Sequence, residues 1–221
     1  MKPTGPALAG VGIATALLFL VGQAAELPAL RLATKPLPAL CLAAWVLGCR
    51  GPLGRLTAAG LVLSGIGDLL LESGLFLPGL LAFLSAHLAY LAAFLSADRR
   101  PALGRALPFL AWGLLAFGQL RAGLGPMTLP VAVYVTVICL MMWRAAARVG
   151  SPGAHALAAA LGLAGAVSFG ASDTLIAFDR FWAPIPGVLW PIMVLYWVGQ
   201  CGLAASAVSG CGMLPERVNP A

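Results

Sequence analysis

Two aspartates stand inside long apolar stretches of the sequence, and they are the residues best suited to chemistry. Asp68 is preceded by Gly67 and Asp173 by Ser172, so a small residue stands before each carboxyl. A charged side chain at the centre of a membrane helix costs at least about 2.5 kcal/mol, and it usually faces the protein interior and serves a function. Two carboxyls held together away from water can share one proton, which makes one an acid and the other a base. Such a pair suits a reaction through an oxocarbenium ion; the alternative is a helix-packing hydrogen bond from a protonated Asp.

Further polar residues share helix faces with aromatic ones, a combination that is common in binding pockets. His87 and Tyr90 lie in a helical stripe with Phe83 and Phe94. Lys35 stands directly before a proline, where its ammonium group suits a phosphate contact. We therefore predict Asp68 and Asp173 as catalytic residues, and as substrate-binding residues Lys35, His87, Tyr90, Tyr134, Ser172, Tyr196 and Gln200.

Other reaction types lack their residues in this sequence. There is no GxSxG motif, and the serines have no convincing His and Asp partners for nucleophilic attack. His87 and His155 are the only histidines, so no metal and no cofactor is predicted. The five cysteines show no CxxC pairing, and we expect small apolar thiols in the core. The net charge of +6 is scattered, without a basic cluster for nucleic acid.

The elements that must position these residues are membrane helices. Hydrophobic residues make up 61% of the 221-residue chain and charged residues 9%, whereas soluble domains carry about 25% charged residues. A spanning helix needs about 20 apolar residues. Breaks rich in Pro, Gly and charge separate such segments, at about 6–24, 34–49, 56–73, 76–96, 103–121, 127–147, 155–178 and 186–208.

We predict an all-α polytopic membrane protein, a single bundle of about eight transmembrane helices that forms one domain over residues 1–221. The first segment resembles a signal peptide, but the apolar segments that follow it and Gln23 favour a retained span. Basic residues concentrate on cytoplasmic loops, and one predicted side holds Lys2, Arg50, Arg55, Arg99, Arg100, Arg105, Arg144, Arg148 and Arg217, against Arg31, Lys35, Arg121 and Arg180 on the other. This difference predicts that both termini are cytoplasmic.

The predicted spans bring the polar groups to a common depth. At about 1.5 Å per residue, Asp68 lies roughly 18 Å and Asp173 roughly 25 Å from the cytoplasmic face, in a core about 30 Å thick. His87, Tyr196 and Gln200 lie roughly 15–21 Å from the opposite face by the same rise, so we expect one shared cavity. Residues 64–70 are also similar to residues 170–176, which either a parallel repeat of four spans or chance explains.

The sequence resembles the YhhN-like lysoplasmalogenase family along nearly its whole length. No single piece is specific, but their order and spacing together are. The pieces are Lys35-Pro36, Gly67-Asp68-Leu69-Leu70-Leu71, Ala86-His87-Leu88-Ala89-Tyr90, Leu129-Pro130-Val131-Ala132-Val133-Tyr134, Met142-Trp143-Arg144, Gly165-Ala166 with Phe169, Ser172-Asp173-Thr174-Leu175, and Tyr196 with Gln200. The pieces that end at Tyr134 and Arg144 are especially similar to vertebrate members, which implies a eukaryotic protein of the endoplasmic reticulum membrane.

The resemblance implies an ether hydrolase that cleaves the vinyl ether bond of lysoplasmalogens. The products would be a fatty aldehyde and glycerophosphocholine or glycerophosphoethanolamine. The family's two aspartates match Asp68 and Asp173 here, and no metal or organic cofactor is implied. The sequence does not decide which aspartate is the acid, and the deeper Asp68 is the expected one. The expected partners are a lysophospholipid substrate and membrane lipid, with homodimer formation left open.

Two alternatives use the same carboxyls. A proton-coupled transporter also needs buried Asp and His residues, and it would predict broken helices at corresponding positions of two halves. The segment Gly65-Ile66-Gly67-Asp68 fits the GxGD pattern of intramembrane aspartyl proteases. The second aspartate here follows Ser172, however, and no Pro-Ala-Leu comes after it.

Overall fold

Nine α-helices account for most of the computed structural model, which describes residues 5–211. They are α1 (Gly5–Ala24), α2 (Pro28–Thr34), α3 (Leu37–Val46), α4 (Pro52–Glu72), α5 (Phe76–Ala97), α6 (Leu107–Leu120), α7 (Thr128–Ala147), α8 (Ala156–Phe181) and α9 (Leu189–Gly210). Seven helical segments within the described residues are long and apolar enough to cross a membrane. The prediction of an all-α polytopic membrane protein is therefore confirmed.

The second span, which the sequence predicts as one helix over 34–49, is two short helices in the structure. Helix α2 ends at Thr34 and α3 begins at Leu37, with Lys35 and Pro36 between them. A proline has no N–H to continue a helix and its ring clashes with the preceding turn. Since Gly22 lies against Arg31 and Gly5 against Trp45, α2 and α3 together run along the whole of α1. The described part of the bundle therefore contains seven long helical segments and, between α1 and α4, one helix that is broken into α2 and α3.

Two helix pairs make the closest contacts in the bundle, α4 with α5 and α8 with α9. Glycines allow this approach: Gly60 faces the ring of Tyr90, and Gly165 faces the backbone of Leu203. Small residues at such positions let membrane helices pack through their backbones. The two pairs form the frame that carries both aspartates, Asp68 on α4 and Asp173 on α8.

Arginines and carbonyl groups close one end of the bundle. Arg144 is buried and donates to the carbonyl oxygens of Asp98 and Arg100, both at 2.6 Å. Arg148, also buried, donates to Ser206 Oγ at 3.1 Å. The described basic residues divide between the two ends as the sequence predicts, while Lys2 and Arg217 lie outside residues 5–211. Which end faces the cytoplasm stays a prediction.

Two of the cysteines correct the expectation of isolated thiols. Cys49 and Cys211 form a disulfide between the α3–α4 loop and the end of α9, while Cys41, Cys139 and Cys201 are free. The bonded cysteines are separated by 162 residues. Spacing along the chain could not predict this pair, because the folding of the whole bundle brings the two ends together.

Candidate active site

Asp173 on α8 is held by two side chains from neighbouring helices. Tyr134 on α7 donates its hydroxyl to Asp173 Oδ2 at 2.8 Å, and Nε2 of His87 on α5 lies 2.8 Å from the same oxygen. The His87 side chain is fully buried, and the Asp173 side chain is 8% exposed. All three residues were predicted site residues, and the structure brings them into direct contact.

The histidine in this cluster has one nitrogen without a partner. Nδ1 of His87 is buried and accepts or donates no hydrogen bond within residues 5–211. A proton on Nδ1 would therefore be left unpaired in an apolar surrounding, whereas a proton on Nε2 is shared with Asp173. The arrangement favours a proton between the imidazole and the carboxyl, which is an acid–base unit.

Asp68 on α4 has a separate partner. Tyr196 on α9 donates its hydroxyl to Asp68 Oδ2 at 2.6 Å, and both residues are buried. Another network lies nearby, in which Tyr90 donates to Gln200 Oε1 at 2.7 Å and lies 3.3 Å from Ser64 Oγ. Asp68 is thus satisfied by a phenol, as a buried carboxyl must be.

Aromatic rings fill the space between the two carboxyl clusters. Phe169 packs edge-on against His87 at 4.5 Å between ring centroids and against Tyr196 at 5.3 Å. Phe83 packs against both Phe169 and Tyr196 at 6.0 Å. Among the described hydrogen bonds, none joins the two carboxyls directly. They can influence each other through this apolar layer, but they do not share a proton across one bond.

The two clusters are arranged alike. Each aspartate lies on the first helix of a close pair and bonds to the second helix of the other pair: Asp68 reaches Tyr196 on α9, and Asp173 reaches His87 on α5. The spacing from Gly60 to Asp68 equals that from Gly165 to Asp173. A parallel repeat of four spans and chance both stay open as explanations of the similarity of residues 64–70 and 170–176.

A mostly apolar cavity lies beside Asp173, between α5, α6, α7 and α8. Its volume is about 60 Å³, which has space for water. Small-molecule sites usually hold about 300–1,000 Å³, so a lipid could enter only if lining side chains move. The lining includes Leu71, Phe76, Leu80, Phe83, Trp112, Ala116, Leu120, Val131, Tyr134, Val135, Ile138, Cys139, Asp173, Thr174, Ile176, Ala177 and Phe181.

The sequence predicts that both aspartates face one cavity, but only one of them lines the cavity beside Asp173. Asp173 and Tyr134 line this cavity, whereas Asp68 does not. Phe83 does line it and packs on Tyr196, the partner of Asp68, and on Gly67. Helix depth, which the sequence predicts, does not fix the rotation of each helix about its axis, and that rotation decides which side chain reaches a cavity.

The other predicted contacts are distributed over the bundle. Ser172 donates to the carbonyl oxygen of Ile192 at 3.0 Å, which is a bond between α8 and α9. Lys35 pairs with Glu72 at 2.9 Å, and Arg31 bonds to the same carboxylate. Gln200 lines a second apolar cavity, between α1, α3 and α9. None of these three predicted residues lines the cavity beside Asp173.

The sequence analysis did not predict two residues that line the cavity. Trp112 on α6 donates its indole N–H to Thr174 Oγ1 at 3.1 Å, and both side chains line the cavity. The available signal was a tryptophan inside an apolar segment, because a buried indole N–H normally needs an acceptor. As for metals, no group of three or more His, Cys, Asp or Glu residues within 5–211 is placed to hold an ion.

Comparisons with known proteins give a consistent result. A model of the YhhN family matches residues 30–207. The protein is 36% identical to lysoplasmalogenase TMEM86B of Homo sapiens over 177 residues, 79% of this chain and 74% of that protein. It is 35% identical to lysoplasmalogenase TMEM86A of Homo sapiens over 226 residues, 94% of this chain and 91% of that protein. A lysoplasmalogenase of Mycobacterium bovis is 34% identical over 145 residues, 59% of this chain and 52% of its own. No solved structure matches.

Proposed function

The chain belongs to the YhhN family, and we propose that it is a lysoplasmalogenase that hydrolyses the vinyl ether bond of 1-alkenyl lysophospholipids. One observation carries the proposal: a carboxyl held by a histidine and a tyrosine borders an apolar cavity inside a membrane bundle. The alkenyl chain is apolar and the reaction needs an acid, so the site offers both requirements. The names of the relatives support the same activity.

Asp173 is the acid in this mechanism. It gives its proton to the alkene carbon distal to the ether oxygen, and the π electrons of the double bond form the new C–H bond. The cation is then shared between the adjacent carbon and the ether oxygen. Tyr134 and His87 both donate to Oδ2, at 2.8 Å each, so the proton that leaves is the one on Oδ1 and the negative charge spreads over both oxygens. They therefore stabilise the carboxylate as it forms in the transition state.

Water completes the reaction at the cationic carbon. The water oxygen bonds to this carbon and its proton returns to the Asp173 carboxylate, so the acid is restored. The hemiacetal then collapses: the carbon–oxygen bond to glycerol breaks, and the hydroxyl proton moves to the leaving glycerol oxygen. The products are a fatty aldehyde and glycerophosphocholine or glycerophosphoethanolamine.

Asp68 serves as the second carboxyl, in an electrostatic role. Its charge acts on the oxocarbenium ion through the apolar layer of Phe83, in which screening is weaker than in water. Tyr196 orients it through the 2.6 Å hydrogen bond. Tyr90 and Gln200 support this half of the site, and Ser172 is next to Asp173 in the other half. Lys35, which is paired with Glu72, is proposed to meet the glycerol part of the substrate. The endoplasmic reticulum membrane is the proposed location, with both termini in the cytoplasm.

The test is aldehyde release by the purified protein in detergent micelles with lysoplasmalogen as substrate. Asp173→Asn should lower kcat roughly 100- to 10,000-fold, the range that general acid catalysis contributes. Asp68→Asn should lower kcat by roughly tenfold or more, since it removes a charge near the cation. Glu26→Gln is the matched control, because Glu26 is an exposed carboxyl in the α1–α2 loop. Full activity of either Asp variant would refute the two-carboxyl mechanism, and no aldehyde from folded wild type would refute the function.

The transporter alternative receives less support. Its expected pair of broken helices would need a break in α7, the second span of the second half, to match the one between α2 and α3. Helix α7 instead runs from Thr128 to Ala147 without interruption. The hydrolase remains the proposal that the site supports best.

A further inference from the structure

The cavity beside Asp173 ends under two aromatic rings near the end of the bundle. Phe76 begins α5 and Phe181 ends α8, and their rings pack edge-on with centroids 5.9 Å apart. Both rings line the cavity. The guanidinium of Arg180 lies over the ring of Phe76, 3.8 Å from its centroid. A cation therefore stands at the rim of the cavity whose wall carries Asp173.

This cation is not neutralised by the protein. Arg180 is exposed, and no carboxylate within residues 5–211 lies at ion-pair distance from it. Lys35 and Arg31, at the same end of the bundle, both bond to Glu72. Trp182 follows Arg180 closely and is 62% exposed, as expected of a tryptophan at the membrane interface. Arg180 is thus available to an anion at headgroup level.

The distance along α8 matches the substrate of the proposed reaction. Asp173, Ala177 and Arg180 share one helix face, and Ala177 lines the cavity between the other two. Asp173 and Arg180 are about 10.5 Å apart along the axis at a rise of about 1.5 Å per residue, and the arginine side chain leans back toward the helix start. A lysoplasmalogen has seven bonds from the alkene carbon that Asp173 protonates to phosphorus, or about 9 Å when extended, since three backbone bonds span about 3.8 Å. The difference between this length and the distance from Asp173 to Arg180 is covered by the hydrogen bonds to Asp173 at one end and to Arg180 at the other.

We propose that Arg180 binds the phosphate of the lysophospholipid and so sets the depth at which its vinyl ether meets Asp173. This inference rests on the proposed function. The planar guanidinium can hold two phosphate oxygens while it remains stacked on Phe76. Choline and ethanolamine substrates carry the same phosphate, so this contact selects phosphorylated substrates without separating the two headgroups.

The experiment compares two substrates with the same alkenyl chain and glycerol, one with and one without the phosphate and its headgroup. Arg180→Gln should raise KM for lysoplasmalogen roughly tenfold or more, because a charge-assisted bond to phosphate is lost, and should leave kcat little changed. For 1-alkenylglycerol, which has no phosphate, wild type and Arg180→Gln should have equal KM. Arg180→Lys should fall between them. Arg121→Gln removes another exposed cation from the same end of the bundle and should match wild type on both substrates.

Equal losses on both substrates, or no loss on lysoplasmalogen, would overturn the role of Arg180. A second measurement separates this outcome from failure of the proposed reaction. The saturated 1-alkyl analogue of lysophosphocholine cannot be protonated at a vinyl carbon, and its binding can be followed by tryptophan fluorescence because Trp112 lines the cavity. Weaker analogue binding by Arg180→Gln without any aldehyde from wild type would support the phosphate contact and refute only the hydrolase. Equal binding would reject the contact.

Discussion

The hydroxyl of Tyr134 offers the most direct test of which carboxyl acts as the acid. Tyr134→Phe removes one oxygen, which lies 2.8 Å from Asp173 Oδ2. The ring stays, so its edge-on packing on His87, with centroids 5.3 Å apart, is retained. His87 still holds the carboxyl at 2.8 Å. The substitution therefore removes the hydrogen bond to Asp173 and the 3.3 Å contact of the hydroxyl with His87 Nε2, and leaves the ring packing in place.

The size of the effect follows from the charge that Asp173 gains when it gives up its proton. A hydrogen bond to a charged group contributes about 1.5–3 kcal/mol. Because about 1.4 kcal/mol corresponds to a factor of ten in rate, we expect kcat to fall roughly 10- to 150-fold. The hydroxyl serves Asp173 more than the substrate, so KM should change little.

The assay is steady-state aldehyde release in micelles, with the unfolding temperature measured in parallel to show that the variant is folded. Tyr196→Phe is the informative companion, because it removes the corresponding hydroxyl from Asp68, at 2.6 Å. We expect a smaller decrease of kcat from Tyr196→Phe than from Tyr134→Phe. An unchanged kcat in Tyr134→Phe, or a larger decrease in Tyr196→Phe, would show that Asp173 is not the acid.

Two further predictions concern the frame of the bundle. Burial disfavours the charged form of Asp98, but hydrogen bonds from Arg100 outweigh this and lower its pKa from 3.8 to about 2. The folded protein therefore gains stability from this carboxylate above about pH 4 and loses it as the pH falls toward 2. Asp98→Asn should lower the unfolding temperature at pH 7, with the difference from wild type shrinking toward pH 2; equal unfolding temperatures at pH 7 would contradict this. A Cβ added at Gly165 would lie 2.6 Å from the backbone nitrogen of Leu203, so Gly165→Ala should destabilise the protein by about 1–3 kcal/mol. Gly10→Ala, with nothing within 4 Å of the new Cβ, is the control, and equal unfolding temperatures for the two variants would refute tight packing of α8 on α9.

Local patterns in the sequence were enough to determine the helices and the aspartates. Apolar runs of spanning length, separated by prolines, glycines and charges, predict each long helix to within a few residues, because helix formation and membrane insertion depend on neighbouring residues. The same reasoning identified Asp68 and Asp173, since a carboxyl inside an apolar run is conspicuous without any knowledge of the fold. The broken second helix is the exception: Pro36 was visible, but whether it breaks or only bends a helix depends on the packing around it.

Only the tertiary structure decided the partner of each carboxyl. Helix rotation and the contacts between distant helices pair Asp173 with His87 and Tyr134, and Asp68 with Tyr196. The same contacts place Phe83 at the cavity and leave Asp68 away from it. Depth in the membrane follows from counting residues along one helix, whereas the direction of a side chain follows from the helices around it. The sequence therefore determined that two acids lie inside the membrane, and the packing of the bundle determined that one of them borders a cavity.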